Sequence, residues 1–216
     1  MKRIDFYLDF ISPYADLAFE HLPQALQGLS YEVVYRPVLF AGLLKHHGQL
    51  GPAEIAPKRD WTFRHALWQA QRLGVPMQLP AAHPFSPLAL LRLAWACARQ
   101  GAPNRYAVET IFRHVWRSGA AADDAARLAQ LTTTLAPAQD PADAAVKQAL
   151  REATDGAIAA GVFGVPSFIV DGRLFWGLDA LPLLRAHLTG GSEGAALDAI
   201  WPQVDALGTG VQRRLG

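Results

Sequence analysis

The chain has 216 residues, of which 51% are hydrophobic and 18% are charged, and its formal net charge is +1. This composition is typical of a globular protein with a substantial core and excludes an intrinsically disordered chain. A net charge so close to zero supplies no basic field for nucleic acid or an anionic membrane, so we expect neither as a partner.

The first forty residues predict a β-α-β unit. Apolar side chains alternate over residues 4–10, which is the period of a strand. Ser12-Pro13 then provides an N-cap and a proline suited to the first helical turn, and an apolar helical stripe runs from Tyr14 to Leu29. Residues 31–40 are rich in Val and Tyr and predict a second strand, parallel to the first.

Strand signals then disappear for more than a hundred residues. Segments rich in Ala, Leu, Gln and Arg, separated by Pro and Gly, predict helices instead. These predicted helices cover 52–74, 86–100, 104–118, 123–135 and 142–160. We interpret the region as a helical insertion with a small core of its own.

Strand signals return near the end of the chain. Residues 167–170 and 173–176 flank Asp171-Gly172, a strong two-residue hairpin turn, and residues 178–188 predict a helix. The order β-α-β, helices, β-β-α predicts an α/β fold: a thioredoxin-like sheet with a large all-helical insertion. The predicted divisions are 1–40 with 161–190 (thioredoxin-like domain), 41–160 (insertion) and 191–216 (a tail packed on the domain, anchored by Trp201 and Leu207).

Cysteine content and the amino terminus bear on location. Residues 1–10 lack the apolar run and cleavage site of a secretion signal, and no stretch is apolar for long enough to span a membrane. Cys97 is the single cysteine, so neither an intramolecular disulfide nor a cysteine metal cluster forms. Its place in a helical stripe beside Trp95 favours a buried structural role. We expect a cytoplasmic protein without a metal.

Ser12 lies where the first strand passes into the first helix. Backbone N–H groups and the helix dipole favour an anion at such a position, and a thiolate there has a lowered pKa. Redox members of the thioredoxin-like fold carry Cys-x-x-Cys at this turn, whereas this chain has Ser12 and Ala15. Dithiol chemistry is therefore excluded. Ser12 either caps the helix only, or also donates its hydroxyl to the thiolate of a ligand.

Two later segments complete the candidate site. Val165-Pro166 precedes the hairpin, where a cis proline of this fold faces the first helix and the residue before it pairs with an extended peptide. The segment 176–179 begins the last predicted helix, where N–H groups are suited to a ligand carboxylate and Asp179 is suited to an ammonium group. Simple capping by Asp179 is the alternative, and both roles are compatible.

Four segments carry a resemblance to a known family. They are FYLDFISPYADLA, RPVLFAGLLKHHGQLGPAEIAPKRDW, RLGVPMQLPAAHPFSPLALLRLA and AGVFGVPSFIVDGRLFWGLDAL. As a set they resemble 2-hydroxychromene-2-carboxylate isomerases, relatives of kappa-class glutathione transferases and DsbA-like oxidoreductases. The resemblance covers nearly the whole chain and is weakest over 120–155 and after 190.

The resemblance implies that glutathione is the cofactor, with its sulfur at Ser12 and its cysteinyl backbone against Val165 and Pro166. The other implied glutathione contacts are Gln49, Trp176, Gly177, Leu178 and Asp179. The implied substrate-binding residues are Lys45, Lys58, Arg59 and Ser86. Four positions depart from the family pattern, which leaves the precise substrate open: Gln49 and Ser86 where Asn is common, His65 for a common Asp, and Ala180 where Arg is usual.

The implied reaction converts 2-hydroxychromene-2-carboxylate, or a similar intermediate of aromatic catabolism, to trans-o-hydroxybenzylidenepyruvate without consuming glutathione. The implied partners are a small aromatic carboxylate and a second copy of the chain in a homodimer. Two alternatives remain open from the sequence. One is a kappa-type glutathione transferase, and the other is a non-catalytic glutathione-binding protein.

Overall fold

A computed structural model describes residues 1–208. Strand β1 (Lys2–Leu8), helix α1 (Pro13–Ala25) and strand β2 (Tyr31–Pro37) form the predicted β-α-β unit. The two strands pair in parallel, from Lys2 opposite Tyr31 to Leu8 opposite Pro37. The apolar residues that alternate in the sequence are the even-numbered residues of β1. From Ile4 onward their side chains are fully buried, as expected for one face of a strand.

The second half of the sheet is the predicted hairpin. Strands β3 (Ser167–Val170) and β4 (Arg173–Trp176) pair antiparallel across Asp171-Gly172. Both turn residues have positive φ, 51° and 78°, as a type I′ turn requires. Strand β3 also pairs antiparallel with β1, which gives the order β2-β1-β3-β4. The predicted thioredoxin-like sheet is confirmed.

Six helices lie between the two halves of the sheet. They are α2 (Phe40–His46), α3 (Ala56–Leu73), α4 (Leu88–Ala96), α5 (Arg105–Trp116), α6 (Ala125–Leu135) and α7 (Ala144–Ala159). Each of the five predicted helical segments contains one of α3 to α7. The prediction missed α2 because it continued the second strand to Phe40. In the structure the Thr154 hydroxyl accepts from Leu39 N at 3.0 Å, and the Asp9 carboxylate accepts from Phe40 N at 2.9 Å. These contacts come from distant parts of the chain.

The chain after β4 is more helical than predicted. A 3-10 turn at Leu178–Ala180 leads into α8 (Leu181–Thr189), and α9 (Gly191–Asp205) occupies most of the expected tail. Trp201 packs on the sheet domain, with its ring centroid 6.0 Å from that of Phe175. The expectation that Leu207 anchors the tail is wrong, because Leu207 is 78% exposed. The remainder of the predicted tail, 209–216, lies outside the described residues.

The inserted helices and the sheet share one buried cluster. Phe112 of α5 lies 4.9 Å from Phe10 and 5.4 Å from Phe19, ring centroid to centroid. The expectation of a separate core for the insertion is therefore wrong, because the apolar stripes of these helices are buried against the sheet side. The division of the chain at residues 41 and 160 stays a prediction. Within residues 1–208, no helix combines the length and apolarity that crossing a bilayer requires.

A buried ion pair joins α1 to the end of α5. The Arg117 guanidinium donates to both carboxylate oxygens of Asp16, at 2.8 and 3.1 Å, and to Glu20 at 3.0 Å. Asp16 is fully buried, and burial raises its pKa to about 7 although the Arg117 bonds and charge oppose that shift. The pair fixes the first turns of α1 relative to the inserted helices.

We expect Arg117→Met to lower the free energy of unfolding by about 3 kcal/mol, because it leaves a buried carboxyl without its partner. Arg113→Met is the matched control. Arg113 pairs with Glu109 at 2.6 Å on an exposed helix face, and such pairs contribute about 0.5 kcal/mol. Urea unfolding of both variants measures the difference. Equal losses would contradict a structural role for the buried pair.

Candidate functional site

Ser12 caps α1, as its sequence context predicts. Its backbone is extended at φ −92° and ψ 117°, and its Oγ accepts a hydrogen bond from Ala15 N at 3.2 Å. The side chain is largely buried, at 8% exposure. Ser12 therefore stands at the positive end of a thirteen-residue helix.

Val165 and Pro166 face this turn. The peptide bond between them is cis, as the sequence predicted, and the Val165 carbonyl lies 3.5 Å from Ser12 Oγ. Among residues 1–208 the Val165 N–H donates no backbone hydrogen bond. An N–H and a C=O with so few partners resemble the free edge of a strand, to which an extended peptide adds.

The Ser12 hydroxyl keeps its donor available. Its oxygen accepts from Ala15 N, so the capping role uses a lone pair and not the proton. Among residues 1–208 the proton has only the Val165 carbonyl as an acceptor, and 3.5 Å is at the long limit for an O–H···O bond. A thiolate placed between Ser12 and Val165 is a stronger acceptor than the carbonyl. The Ser12 hydroxyl therefore donates its hydrogen bond to the thiolate in preference.

Gly177 and Asp179 lie beside the cis-proline loop. Gly177 N donates to Pro166 O at 2.9 Å, which ties the start of the 3-10 turn before α8 to the cis-proline loop. Gly177 has φ 103°, and a Cβ at this position would overlap the Asp179 carboxylate. Glycine is required here because it leaves that space to the carboxylate.

The Trp176 indole lies over the loop before Pro166. It is 54% exposed and packs against the Phe163 ring at 5.0 Å. A Cβ at Gly164 would lie 2.7 Å from Trp176 Nε1, so Gly164 permits this close approach. The structure therefore brings Ser12, Val165 and the segment 176–179 together, as predicted.

A groove of about 840 Å³ runs along Val165, Pro166 and the segment 176–179, and Ser12 is not among its lining residues but lies behind Val165. This volume suits a small organic ligand. Helix α1 contributes its floor, the cis-proline loop and α8 form one side, and α3 forms the other. The lining residues include Tyr14, His21, His65, Gln69, Arg72, Val165, Pro166, Trp176, Gly177, Leu178, Asp179 and Arg185. A second cavity of about 730 Å³ lies between the sheet and α7 and holds none of the predicted site residues.

Hydrogen bonds hold the α3 side of the groove to α1. Tyr14 Oη lies 2.8 Å from His65 Nδ1 and 3.4 Å from Thr62 O, and Gln69 Nε2 lies 3.3 Å from His65 Nε2. If the amide donates to Nε2, the imidazole proton is on Nδ1 and points to Tyr14. Burial, and next the Asp179 charge, raise the pKa of Tyr14, so Tyr14 remains a neutral phenol.

The groove carries charge of both signs. Asp179 contributes a carboxylate, while Arg72 and Arg185 contribute guanidinium groups. Arg185 donates to the carbonyls of Ala25 and Gln27 at 2.8 and 3.0 Å. The Arg72 guanidinium lies 4.9 Å from the ring centroid of Trp68 and has no carboxylate partner among residues 1–208. The groove therefore suits a ligand with an ammonium group and carboxylates.

The other predicted positions do not line this groove. Lys45 and Gln49 are exposed in and after α2, Lys58 and Arg59 are exposed near the start of α3, and Ser86 is exposed before α4. Their roles stay predictions. Cys97 is half-buried, and burial raises its pKa, which disfavours its thiolate. Within residues 1–208, no cluster of three or more His, Cys, Asp or Glu side chains is arranged to hold a metal ion.

Asp9 is a site residue that sequence reasoning missed. It is fully buried behind the Ser12 turn, with Oδ1 accepting from Ile11 N at 3.2 Å and Oδ2 from Phe40 N at 2.9 Å. Its carboxylate therefore joins the β1–α1 loop to the start of α2. In the sequence it looks like an outward-facing strand residue, because the alternation continues to Phe10 whereas the strand ends at Leu8, two residues earlier.

Comparison with known proteins agrees with this architecture. The sequence profile of the DSBA-like thioredoxin domain matches residues 3–189. The chain belongs to the DSBA-like thioredoxin domain family. Its fold is also similar to a solved 2-hydroxychromene-2-carboxylate isomerase, with a TM-score of 0.73 and 24% identity over 96% of this chain and 100% of the other.

Two curated relatives have sequences similar to this member of the DSBA-like family. A protein of Sphingobium xenophagum named 2-hydroxychromene-2-carboxylate isomerase is 29% identical over 87% of this chain and 98% of its own length. A protein of Caenorhabditis elegans named glutathione S-transferase kappa 2 is 28% identical over 87% of this chain and 92% of its own. Both similarities extend over nearly the whole of each protein.

The raised pKa of the Asp9 carboxyl predicts that the free energy of unfolding depends on pH. Burial raises its pKa to about 7, although N–H groups of Phe40, Ile11 and Phe10 oppose this shift. An unfolded Asp titrates near 4, so between about pH 4 and 7 the folded state binds more protons. The free energy of unfolding therefore falls as pH rises through this window, and Asp9→Asn should flatten that fall.

Urea unfolding at several pH values between 4.5 and 7 tests this expectation. At pH 4.5 Asp9→Asn should be less stable than wild type, because Asn offers one acceptor oxygen to two N–H donors, and the difference should shrink towards pH 7 as Asp9 ionises in wild type. Asp171→Asn is the control. Hydrogen bonding to Lys2 lowers the pKa of Asp171, so its titration lies below the window. Parallel slopes in wild type and Asp9→Asn would contradict the assignment.

Proposed function

We propose that this chain is a glutathione-dependent isomerase of 2-hydroxychromene-2-carboxylate or a closely similar aromatic carboxylate. The observation that carries the proposal is the Ser12 hydroxyl at a helix start: in the part of the chain that the structure describes, its proton has only the Val165 carbonyl, at 3.5 Å, as an acceptor, and the Val165 N–H donates no backbone hydrogen bond. The relative from Sphingobium xenophagum supports the reaction, since its similarity extends over nearly its full length.

Glutathione fits the groove by chemistry. Its cysteinyl N–H and C=O pair with the backbone of Val165, in the manner of an added strand. Asp179 accepts from the γ-glutamyl ammonium group, and Arg72 balances a ligand carboxylate on the opposite side. This alignment directs the sulfur to Ser12. A cytoplasmic location belongs to the proposal, because glutathione and a free Cys97 thiol both suit a reducing compartment.

The Ser12 turn stabilises the thiolate. The positive end of α1 lowers the free energy of a nearby anion, and the Ser12 hydroxyl adds a charge-assisted hydrogen bond. Ser12 and Ala15 supply no protein thiol at this turn, so the sulfur remains available to the substrate and forms no disulfide here. The thiolate is the attacking group, and Ser12 acts on it as a hydrogen-bond donor.

The proposed reaction balances without net consumption of thiol. The substrate reacts as its open-chain form, in which the hemiketal C–O bond of the ring has broken, the 2-hydroxyl has become a ketone and its proton has passed to the phenol oxygen. The thiolate adds to the conjugated carbon of this cis enone, its lone pair forms the C–S bond, and the electrons of the double bond move into the carbonyl system. The former double bond is then single and rotates. Reversal of the electron flow breaks the C–S bond, restores the double bond in the trans form and returns the thiolate to Ser12. Lys45, Lys58 and Arg59 are the candidate partners of the substrate carboxylate.

The decisive experiment follows the ultraviolet absorbance of 2-hydroxychromene-2-carboxylate with enzyme, with and without glutathione. We expect conversion to trans-o-hydroxybenzylidenepyruvate only with glutathione. Ser12→Ala should lower kcat about 100-fold, because a donor to developing charge is lost, while glutathione affinity changes less than about tenfold. Ser118→Ala is the control, since its Oγ caps a surface turn by accepting from Ala120 N at 3.3 Å.

Each other outcome points to a different function. Conjugation of glutathione to an electrophile without isomerisation would favour a kappa-type transferase, in line with the Caenorhabditis elegans relative. Glutathione binding without turnover of either substrate would favour a binding protein. Unchanged turnover in Ser12→Ala would contradict the activating role of Ser12.

Gly177→Ala tests the γ-glutamyl end of the groove. The added methyl group overlaps the Asp179 carboxylate, so we expect glutathione to bind about tenfold more weakly, a loss of about 1.4 kcal/mol. Gly172→Ala is the matched control. It also places a side chain at positive φ, 78°, but its Cβ meets nothing within 4 Å and lies in the remote hairpin turn. Calorimetric titration measures both, and equal affinities would contradict this placement of the ligand.

A further inference from the structure

Two side chains from outside the thioredoxin-like sheet bind the loop that carries Ser12. Trp116 Nε1, at the end of α5, donates to Phe10 O at 3.0 Å. His83 Nε2, in the loop before α4, donates to Ile11 O at 2.9 Å. Two successive carbonyls before Ser12 are thus held by the inserted region.

The tautomer of His83 follows from this bond. A carbonyl oxygen only accepts hydrogen bonds, so His83 Nε2 carries the imidazole proton and Nδ1 holds a lone pair. Nδ1 is buried and has no hydrogen-bond partner among residues 1–208. Burial lowers the pKa of His83, the Ile11 carbonyl opposes this shift, and Arg59 adds to it, so the ring is neutral near pH 7.

The surroundings of the ring are aromatic. The His83 centroid lies 4.9 Å from that of Phe63, 5.8 Å from Phe85 and 6.2 Å from Trp116. A phenylalanine would fit such a setting without a buried, unpartnered nitrogen, which costs stability. Packing alone therefore does not explain an imidazole here, whereas its N–H donor does.

The hydrogen bond from His83 to Ile11 O orients the peptide group that joins Ile11 to Ser12. His83 holds the oxygen of that group, and its N–H, which belongs to Ser12, donates to Asp9 O at 3.1 Å. A peptide group held at both ends fixes the direction in which the Ser12 side chain leaves the backbone. A hydroxyl that stabilises a thiolate must be held to within about 0.5 Å.

We propose that His83 is a positioning residue for Ser12: its Nε2–H orients the Ile11–Ser12 peptide group and thereby the hydroxyl. The kinetic consequence rests on the proposed function, in which Ser12 activates glutathione. The geometric consequence does not, because it concerns the loop alone. The test therefore has two readouts.

The first readout is the pKa of a thiol introduced at the site. Ser12→Cys in a Cys97→Ala background gives a single thiol at the start of α1, whose pKa follows from the rate of alkylation against pH. Adding His83→Phe should raise this pKa by about one unit, because the thiolate leaves the helix terminus. Adding His83→Gln, whose side-chain amide again donates to Ile11 O, should restore most of the shift.

The second readout is turnover in the chain with Ser12 and Cys97 intact. His83→Phe should lower kcat for the proposed isomerisation at least tenfold with less than about threefold change in the KM for glutathione. His83→Gln should recover most of kcat. Thermal unfolding confirms that each variant is folded at the assay temperature, and His83→Met, which also lacks the donor, replaces His83→Phe if that variant unfolds.

His114 provides matched controls. Its Nε2 also donates to a carbonyl at 2.9 Å, that of Ala122, and burial also lowers its pKa. That carbonyl lies in the inserted region, away from the Ser12 loop. His114→Phe and His114→Gln should therefore change stability without changing the pKa of the introduced thiol or the kcat.

The outcomes separate the two proposals. An unchanged thiol pKa in His83→Phe, or an equal shift in His114→Phe, would overturn the positioning role. A shifted thiol pKa, restored by His83→Gln, would support it even if wild type neither bound glutathione nor isomerised the substrate, in which case only the proposed function fails.

Discussion

The antiparallel pairing of β1 with β3 is the contact on which the candidate site depends. It sets Tyr7 opposite Ser167 and Phe6 opposite Phe168. The end of β1 that leads to Ser12 and the start of β3 that follows Val165 lie at the same end of the sheet. Two segments more than 150 residues apart thus meet at 3.5 Å. A shift of one residue in this register would move each side chain of the strand to the opposite face of the sheet. It would also separate Ser12 from Val165.

The inserted helices take part in the site as well as in the core. They share the buried cluster of the sheet, and α3 forms one side of the groove. Asp16 is tied to Arg117, Phe10 to Trp116, Ile11 to His83 and Tyr14 to His65, so contacts from that region hold the start of α1. The sheet brings Ser12 and Val165 together, and the inserted helices hold the loop before Ser12 in position.

Ser12 determines the kind of chemistry that this scaffold supports. The helix dipole at the start of α1 lowers the free energy of any nearby anion, whichever side chain begins the helix. A cysteine there would give the protein its own thiolate. A serine provides a proton donor instead and leaves the sulfur to a ligand. In the proposed function, the groove beside it, which Asp179, Arg72 and Arg185 line, selects the thiol.

The sequence by itself determined the elements whose signals are local. Strand alternation, the Ser12-Pro13 start of α1 and the Asp171-Gly172 turn each depend on neighbouring residues, and their order was enough for the fold class. The meeting of Ser12 with Val165 was predicted from that fold class, in which a cis proline faces the first helix. Tertiary structure decided the rest. Helix α2 begins where Asp9 and Thr154 bind its first N–H groups, and His83 reaches Ile11 from 72 residues away. Such contacts leave no periodic trace, because they depend on how distant segments pack.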